Sequence, residues 1–183
     1  LRLHPRERAS KVAWVPRSSE VGGRFTLRHI VELGRFALGP SAARVNEALE
    51  TVDLLERADT IWHEASAGMK QRTSIARALA QRTPGGLLVL DEPTSALDLR
   101  HIGIVSDVLR ACAAEGDLVI AAIHDVALAI NLADTAFVLR HGELVLAGQS
   151  SAVLSPGSLG EVFGVDLAWA TDEAGKRHLV TPN

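Results

Sequence analysis

A short apolar run that ends in two carboxylates constrains this chain more than any other feature. Residues 87–90 read Leu-Leu-Val-Leu, and Asp91 and Glu92 follow directly. Four consecutive apolar residues are typical of a short strand that is buried on both faces of a parallel sheet. Ligands of open α/β sheets bind at the carboxyl ends of the strands. The pattern therefore predicts a functional edge at Asp91 and Glu92.

Two adjacent carboxylates at such an edge can divide the work of phosphate hydrolysis. One can hold Mg²⁺, while the other orients a water molecule and takes its proton. On the Asp91-Glu92 pair alone, an acidic turn after a buried strand is an equally good interpretation. The surrounding sequence is needed to distinguish a hydrolytic carboxylate pair from an acidic turn.

Strand-like and helix-like segments alternate along the chain, which predicts an α/β fold with a mostly parallel sheet. Further strands are predicted at 11–15, 118–123, 135–139 and 144–147, and helices at 26–38, 42–52, 69–82, 99–115 and 126–133. Two stretches of the tail, 167–171 and 178–181, flank Gly175 and predict a terminal hairpin.

Length and composition narrow the class of protein. The 183 residues are enough for one α/β domain with a core. The net charge of −3 gives no basic face for nucleic acid, so no nucleic-acid partner is expected. A single cysteine, Cys112, excludes an internal disulfide and fits a reducing compartment. The longest apolar runs, such as 118–123, are far too short to span a bilayer.

Four short motifs follow one another along the chain. Residues 14–17 (Trp-Val-Pro-Arg) resemble the Q-loop of ABC-type ATPases, and residues 65–72 (Ala-Ser-Ala-Gly-Met-Lys-Gln-Arg) resemble the signature of that family, usually Leu-Ser-Gly-Gly-Gln. Residues 86–98 resemble the Walker B strand and D-loop, and residues 121–125 (Ala-Ala-Ile-His-Asp) resemble the switch-histidine loop. The resemblance covers nearly the whole chain and implies a P-loop NTPase-like (RecA-like) α/β fold with a mostly parallel sheet.

The same resemblance implies a domain organisation. We expect a partial ABC ATPase domain over 1–183, with a core at 1–20 and 69–150. A helical subdomain is expected as an insert at 21–68, and a C-terminal helix and hairpin at 151–183. The N-terminal part of the fold is expected to be missing from this chain.

The resemblance also gives roles to the residues that match. Asp91 would hold Mg²⁺, directly or through a water, as the Walker B aspartate does in P-loop NTPases. Glu92 would orient and deprotonate the attacking water. His124, which follows the predicted strand 118–123, would contact the γ-phosphate of ATP from the same edge of the sheet.

The signature and the D-loop imply a second copy. Ser66, Ala67, Gly68 and Met69 would present a helix N-terminus, which suits phosphate oxygens, to the nucleotide held by the other subunit. Asp98 would touch the other subunit's site from the D-loop. A capping role for Asp98 at the start of the next helix is equally compatible. Both readings fit a dimer with two composite sites.

Three positions depart from the family pattern. Arg17 stands where the Q-loop normally has Gln, and a fixed positive charge cannot replace an amide that both donates and accepts. Arg17 either alters the site or is a solvated loop residue. Ala67 and Met69 replace a glycine and a glutamine of the signature, and the methyl group of Ala67 hinders close approach to phosphate. We expect weakened function of the signature, not its loss.

The phosphate-binding P-loop, Gly-x-x-x-x-Gly-Lys-Ser/Thr, does not occur in this chain. Residues 34–41 have the glycine spacing, but Pro40 replaces the lysine and the segment lies inside a predicted helix. The resemblance places the P-loop upstream. This stretch alone is therefore expected to bind ATP poorly or not at all, and to act as an ATPase only if the full-length chain supplies a P-loop.

Residues 31–35 (Val-Glu-Leu-Gly-Arg), 142–148 and 161–165 resemble ATPase subunits that energise importers of iron-siderophore, haem or cobalamin. This implies a peripheral subunit at the cytoplasmic face of the plasma membrane, using ATP and Mg²⁺. Its partners would be a second nucleotide-binding subunit, transmembrane permease subunits and, indirectly, a substrate-binding protein. The alternatives are a non-catalytic remnant or regulatory binding module, and a soluble ABC protein of DNA repair or translation. The last usually carries paired ATPase domains or long coiled-coil insertions, and neither is seen here.

Overall fold

A computed structural model describes residues 4–173, 175 and 177–182 of the chain. The chain divides into two compact units, Leu1–Ile123 and His124–Asn183. None of the helices in the described residues is long and apolar enough to cross a membrane.

Five helices and three strands make up most of the first unit. They are α1 (Pro5–Lys11), β1 (Val12–Val15), α2 (Leu27–Leu33), α3 (Ala42–Thr51), α4 (Ala67–Gln81), β2 (Leu87–Asp91), α5 (Leu99–Ala114) and β3 (Leu118–Ala122). Two short 3-10 helices, Leu55–Arg57 and Trp62–Glu64, lie between α3 and α4. Helix α1 was not expected from the sequence, although proline at its first position is a common helix start.

The three strands form a parallel sheet in the order β1-β2-β3, as the alternating pattern predicted. Leu88 and Leu90 of β2 are buried, but Leu87 and Val89 are only half-buried. The prediction that this strand is buried on both faces was therefore wrong. The reason is that the unit packs only one face of the sheet against its own helices.

The other face of this sheet stays open. Trp14 of β1 is 57% exposed and Ile120 of β3 is 51% exposed. The strand neighbours of Trp14, Ala13 and Val15, point to the packed side and are buried. The alternation along β1 is the pattern of a sheet with one covered and one open face.

Helix α4 forms the centre of the first unit and packs against α2, α3 and β1. Ile75, Ala76, Ala78 and Ala80 of this helix are almost completely buried. The three alanines among them let the neighbouring elements approach closely. The helix that begins at the signature is thus also the main packing element of the unit.

Helix α2 ends at Leu33, and the predicted continuation to residue 38 was wrong. A Cβ atom on Gly34 would overlap the carbonyl oxygen of Arg77 in α4, so glycine is required for this close contact. The Arg35 guanidinium then donates to the carbonyl oxygens of Gly39 and Ala80, both at 3.1 Å. These contacts favour a turn over a further helical turn. Residues 34–41 therefore do not lie in a helix. They follow helix α2 where a P-loop would follow a strand, and Pro40 replaces the lysine, so both features argue against a P-loop there.

The buried guanidinium of Arg72 joins α4 to the end of α3, and this contact gives a test of stability. Its Nη1 donates to the carbonyl oxygens of Val52 and Asp53, both at 2.7 Å, and Arg72 is 8% exposed. Arg72→Met is expected to lower the free energy of unfolding by about 2 kcal/mol, because buried carbonyls lose their donor. Chemical denaturation measures the change.

A matched control for Arg72→Met is Arg24→Met, at an exposed arginine of the β1–α2 connection. This variant is expected to stay within about 0.5 kcal/mol of the parent, as surface substitutions usually do. Equal losses in both variants would show that the contacts of Arg72 contribute nothing specific.

The second unit contains α6 (Val126–Leu132), β4 (Thr135–Arg140), β5 (Glu143–Gln149), α7 (Ser150–Val153), α8 (Pro156–Phe163), β6 (Ala168–Thr171) and β7 (Arg177–Val180). The pairs β4–β5 and β6–β7 are antiparallel hairpins, so the predicted terminal hairpin is confirmed. The core of this unit is made of Val138, Val153, Leu154, Leu159 and Val162.

The expected partition into subdomains stays a prediction. Residues 21–68 contain α2, α3 and the two 3-10 helices, together with one isolated bridge between Thr26 and Ile61. The compact units divide at residue 123, whereas the predicted core extended to residue 150.

Candidate functional site

The backbone of Glu92 is held in an uncommon conformation where β2 ends. Its φ is +47°, in the left-handed region that non-glycine residues rarely adopt. Its N–H donates to the carbonyl oxygen of Ala122 in β3 at 3.1 Å. Its carbonyl oxygen accepts from Ser95 Oγ at 3.1 Å and from Gln71 Nε2 of α4 at 3.5 Å. Backbone strain of this kind persists where surrounding contacts impose it, and it clusters at functional sites.

Gln71 and Arg72 follow the signature, and both make contacts within the chain. Gln71 is buried and reaches the carbonyl oxygen of Glu92, while Arg72 reaches the end of α3. Both members of the pair therefore bond to backbone carbonyl oxygens of their own chain. The same helix therefore carries the signature and contacts the backbone of the carboxylate residue.

Arg17 lies beside the Glu92 carboxylate. Its Nε is 3.1 Å from Glu92 Oε2, and the two side chains are 66% and 10% exposed. Arg17 is therefore largely solvated, yet it also forms an ion pair with the residue expected to act as the base. Sequence analysis left open whether Arg17 alters the site and did not foresee its partner.

The register of the sheet contains the missed signal. Val15 pairs with Leu90 in the parallel β1–β2 ladder. Counting two residues on from Val15 and from Leu90 brings Arg17 level with Glu92. Because the two strands are parallel and end at the same edge, a sequence-based pairing of the strands would have predicted this contact.

Asp91 is the last residue of β2 and is half-buried. Within the part of the chain that the structure describes, no three His, Cys, Asp or Glu side chains are grouped to hold a metal. Mg²⁺ is usually bound by one or two carboxylates together with substrate phosphates and water. A single hard carboxylate at a strand end fits an ion that the nucleotide helps to hold. The assignment of Asp91 stays a prediction.

Helix α4 begins at Ala67, two residues earlier than predicted. The reason is that Ser66 caps it: Ser66 Oγ accepts from the N–H of Met69 at 3.2 Å. Ser66 and Ala67 are exposed, and Gly68 and Met69 are half-buried. The four candidate signature residues thus occupy the cap and first turn of a 15-residue helix. Their contact with a nucleotide stays a prediction.

Gly68 has a packing role that the sequence analysis missed. A Cβ atom at this position would lie 3.0 Å from the carbonyl oxygen of Ala96, tighter than most real contacts. The first turn of α4 therefore fits closely against residues 93–98. This contact explains the glycine without any reference to phosphate.

Asp98 caps α5, which was one of its two expected roles. Its Oδ1 accepts from the N–H of His101 at 2.9 Å and lies 2.8 Å from His101 Nδ1. The hydrogen bond from the His101 backbone, with a smaller contribution from the His101 side chain, lowers the pKa of Asp98. Contact of Asp98 with a second subunit stays a prediction.

His124 is the first residue of the second compact unit and is exposed. Asp125, which follows, caps α6 by accepting from the N–H of Leu128 at 3.0 Å. In unit one the structure brings Arg17 to Glu92 and Gln71 to the Glu92 backbone. The approach of His124 to that site stays a prediction.

Comparison with known proteins gives consistent matches. Residues 3–95 match the family model described as ABC transporter. The hemin import ATP-binding protein HmuV of Rhodopseudomonas palustris strain BisB5 is 38% identical over 178 residues, covering 93% of this chain and 68% of that protein. HmuV of Streptomyces coelicolor is 39% identical, covering 86% of this chain and 58% of that protein. The cobalamin import ATP-binding protein BtuD of Halobacterium salinarum is 36% identical and is covered over 44% of its length.

Solved structures agree on the fold. A metal-chelate type ABC transporter in an inward-facing conformation matches with a TM-score of 0.80 at 24% identity, over 94% of this chain and 72% of that chain. A dimeric ATP-binding cassette bound to ADP and Pi matches with a TM-score of 0.71 at 25% identity, over 79% of this chain and 65% of that chain. These likenesses support the P-loop NTPase fold that the motifs implied.

Proposed function

This chain belongs to the ABC transporter ATP-binding family, and we propose that it supplies the hydrolytic carboxylate of an ATPase that energises import of a metal chelate. Haem, cobalamin and iron-siderophore complexes are the proposed cargo class. The proposal is supported by the hemin and cobalamin import relatives and by the element at residues 31–35. The observation that carries it is the fixed backbone of Glu92 at the end of β2.

Glu92 is proposed as the general base. A water oxygen bonds to the γ-phosphorus of ATP while a water proton passes to the Glu92 carboxylate. The bond from the γ-phosphorus to the β–γ bridging oxygen breaks, and ADP leaves with its electron pair. The anchored Glu92 backbone would keep the carboxylate at one place during this step. Asp91 would hold Mg²⁺, whose charge offsets that developing on the phosphate oxygens. His124 would contact the γ-phosphate.

The remaining candidates are proposed to act between two copies. The α4 N-terminus with Ser66, Ala67, Gly68 and Met69 would face the nucleotide held by the second copy, since a helix N-terminus favours anions. Asp98 would keep its capping role and also border the partner's site. Transmembrane permease subunits at the cytoplasmic face of the plasma membrane complete the proposed assembly, and a substrate-binding protein would act through them.

The proposal is tested by measuring ATP hydrolysis by the natural chain, meaning the full-length protein that contains these residues, both alone and with its permease. Mg²⁺-dependent release of phosphate that rises with the permease is the expected result. The alternative, a non-catalytic remnant or regulatory module, is favoured by Arg17, Ala67 and Met69. Tight binding of ATP without turnover by the natural chain would support that alternative and contradict the proposal.

The 183-residue stretch alone is expected to bind MgATP with a Kd weaker than about 1 mM, because it has no P-loop motif to surround the phosphates. Isothermal titration calorimetry measures this. The same stretch joined to an upstream segment with a P-loop serves as the control and is expected to bind at least about tenfold more tightly. Micromolar binding by the stretch alone would contradict the prediction.

A further inference from the structure

The ion pair between Arg17 and Glu92 is the observation that the proposed function does not use. Arg17 Nε lies 3.1 Å from Glu92 Oε2, which is a carboxylate oxygen of the proposed base. The proposed base is thus already engaged by a cation of the same chain. The effect of this ion pair on ATP hydrolysis depends on how firmly each partner is held.

The two partners differ in how firmly they are held. Glu92 is almost fully buried, and its backbone is tied to β3 through Ala122 and to α4 through Gln71. Arg17 lies two residues beyond β1 with a side chain that is 66% exposed. The Glu92 carboxylate is therefore held in place by its own contacts, and the more exposed Arg17 side chain reaches it. The Arg17 guanidinium brings a positive charge to the carboxylate.

We propose that Arg17 is a built-in restraint on Glu92 that slows the hydrolytic step. The restraint acts by engaging a carboxylate oxygen that would otherwise accept the proton of the attacking water. Arg17 is thus a positioning residue for the base. This inference rests on the proposed ATPase function. A glutamine, which the Q-loop normally has, carries no charge and would not hold the carboxylate in this way.

The contact itself is tested without nucleotide or turnover. The side-chain Nε–H resonance of Arg17, assigned by its loss in Arg17→Gln, is followed by ¹H–¹⁵N NMR on the natural chain. Glu92→Gln is expected to shift this resonance and speed its exchange with water. Glu20→Gln, at an exposed carboxylate of the same connection, is the control and is expected to leave it in place. If the Arg17 Nε–H resonance and its exchange with water are unchanged in Glu92→Gln, the proposal is overturned.

The restraint is tested by steady-state kinetics of ATP hydrolysis. Arg17→Gln is expected to raise kcat about tenfold with KM unchanged, because freeing the base recovers part of the 10²–10⁴-fold that a general base contributes. Arg17→Lys keeps the charge and is expected to keep most of the restraint. Arg24→Gln, at an exposed arginine of the same connection, is expected to match the parent.

The kinetic results distinguish failure of the proposed restraint from failure of the proposed ATPase function. If Arg17→Gln lowers kcat or raises KM while Glu92→Gln abolishes turnover, Arg17 serves the nucleotide and the restraint is overturned, with the ATPase function intact. If neither the parent nor Arg17→Gln hydrolyses ATP, the proposed function fails and the restraint fails with it. A gain in kcat together with the Glu92-dependent Arg17 resonance supports the proposal.

Discussion

Glu92→Gln is expected to lower the rate of ATP hydrolysis of the natural chain about 10³-fold. The amide has nearly the same shape as the carboxylate but cannot accept the proton of water, and a positioned general base contributes about 10²–10⁴-fold. The backbone contacts of Glu92 with Ala122, Ser95 and Gln71 involve main-chain atoms and do not depend on the side chain. Release of phosphate under saturating MgATP measures the change.

Two controls show whether a loss of hydrolysis in Glu92→Gln is due to the missing carboxylate itself. Circular dichroism and thermal unfolding of Glu92→Gln are expected to match the parent, because the amide keeps the shape of the side chain and the ion pair that it loses involves a largely solvated Arg17. Glu20→Gln, at an exposed carboxylate outside the site, is expected to hydrolyse ATP like the parent. Equal hydrolysis by Glu92→Gln and the parent would remove Glu92 from its assigned role.

Gly34→Ala is expected to lower the free energy of unfolding by about 3 kcal/mol, since overpacking typically costs about 1–3 kcal/mol and a rigid backbone neighbour places this site at the upper end. Gly34 is buried at the end of α2, and an added Cβ would overlap the Arg77 carbonyl oxygen of α4. That oxygen belongs to the backbone of a buried helix and cannot move aside as a side chain could. The helices α2 and α4 would have to separate. Denaturant titration of the natural chain measures the loss.

Gly103→Ala is the matched control. Gly103 lies exposed in α5, and an added Cβ would meet nothing within 4 Å. Alanine is the better helix former, so this variant is expected to gain up to about 1 kcal/mol. Opposite signs at the two glycines would identify the close approach of α2 to α4 as the cause. Similar small effects at both would contradict it.

Much of the fold could be predicted because its signals are local. The strand at Leu87–Asp91 is an apolar run with turn residues before it, and the hairpin at Ala168–Thr171 and Arg177–Val180 surrounds Gly175. The end of α2 could not be predicted, because it depends on Arg77 and Ala80, more than 40 residues away along the chain. Local preference allowed the helix to continue, and tertiary contact ended it.

The candidate site, like the fold, was predictable from sequence only where the signal is local. The carboxylates Asp91 and Glu92 were predictable from their place after an apolar strand. The left-handed backbone of Glu92 and its bond to Gln71 depend on how α4 packs and have no local signal. The Arg17 contact lies between these cases, because it follows from strand register once β1 and β2 are paired.

The open face of the sheet gives the chain an optical reporter. Trp14 is 57% exposed on that face, three residues before Arg17, while Trp62 is buried at 2%. The emission of Trp14 should therefore be red-shifted and accessible to acrylamide, and that of Trp62 blue-shifted and protected. Any molecule or segment that covers the open face will be seen as a loss of quenching at Trp14. The chain can report the covering of that face in its native fluorescence, with no label attached.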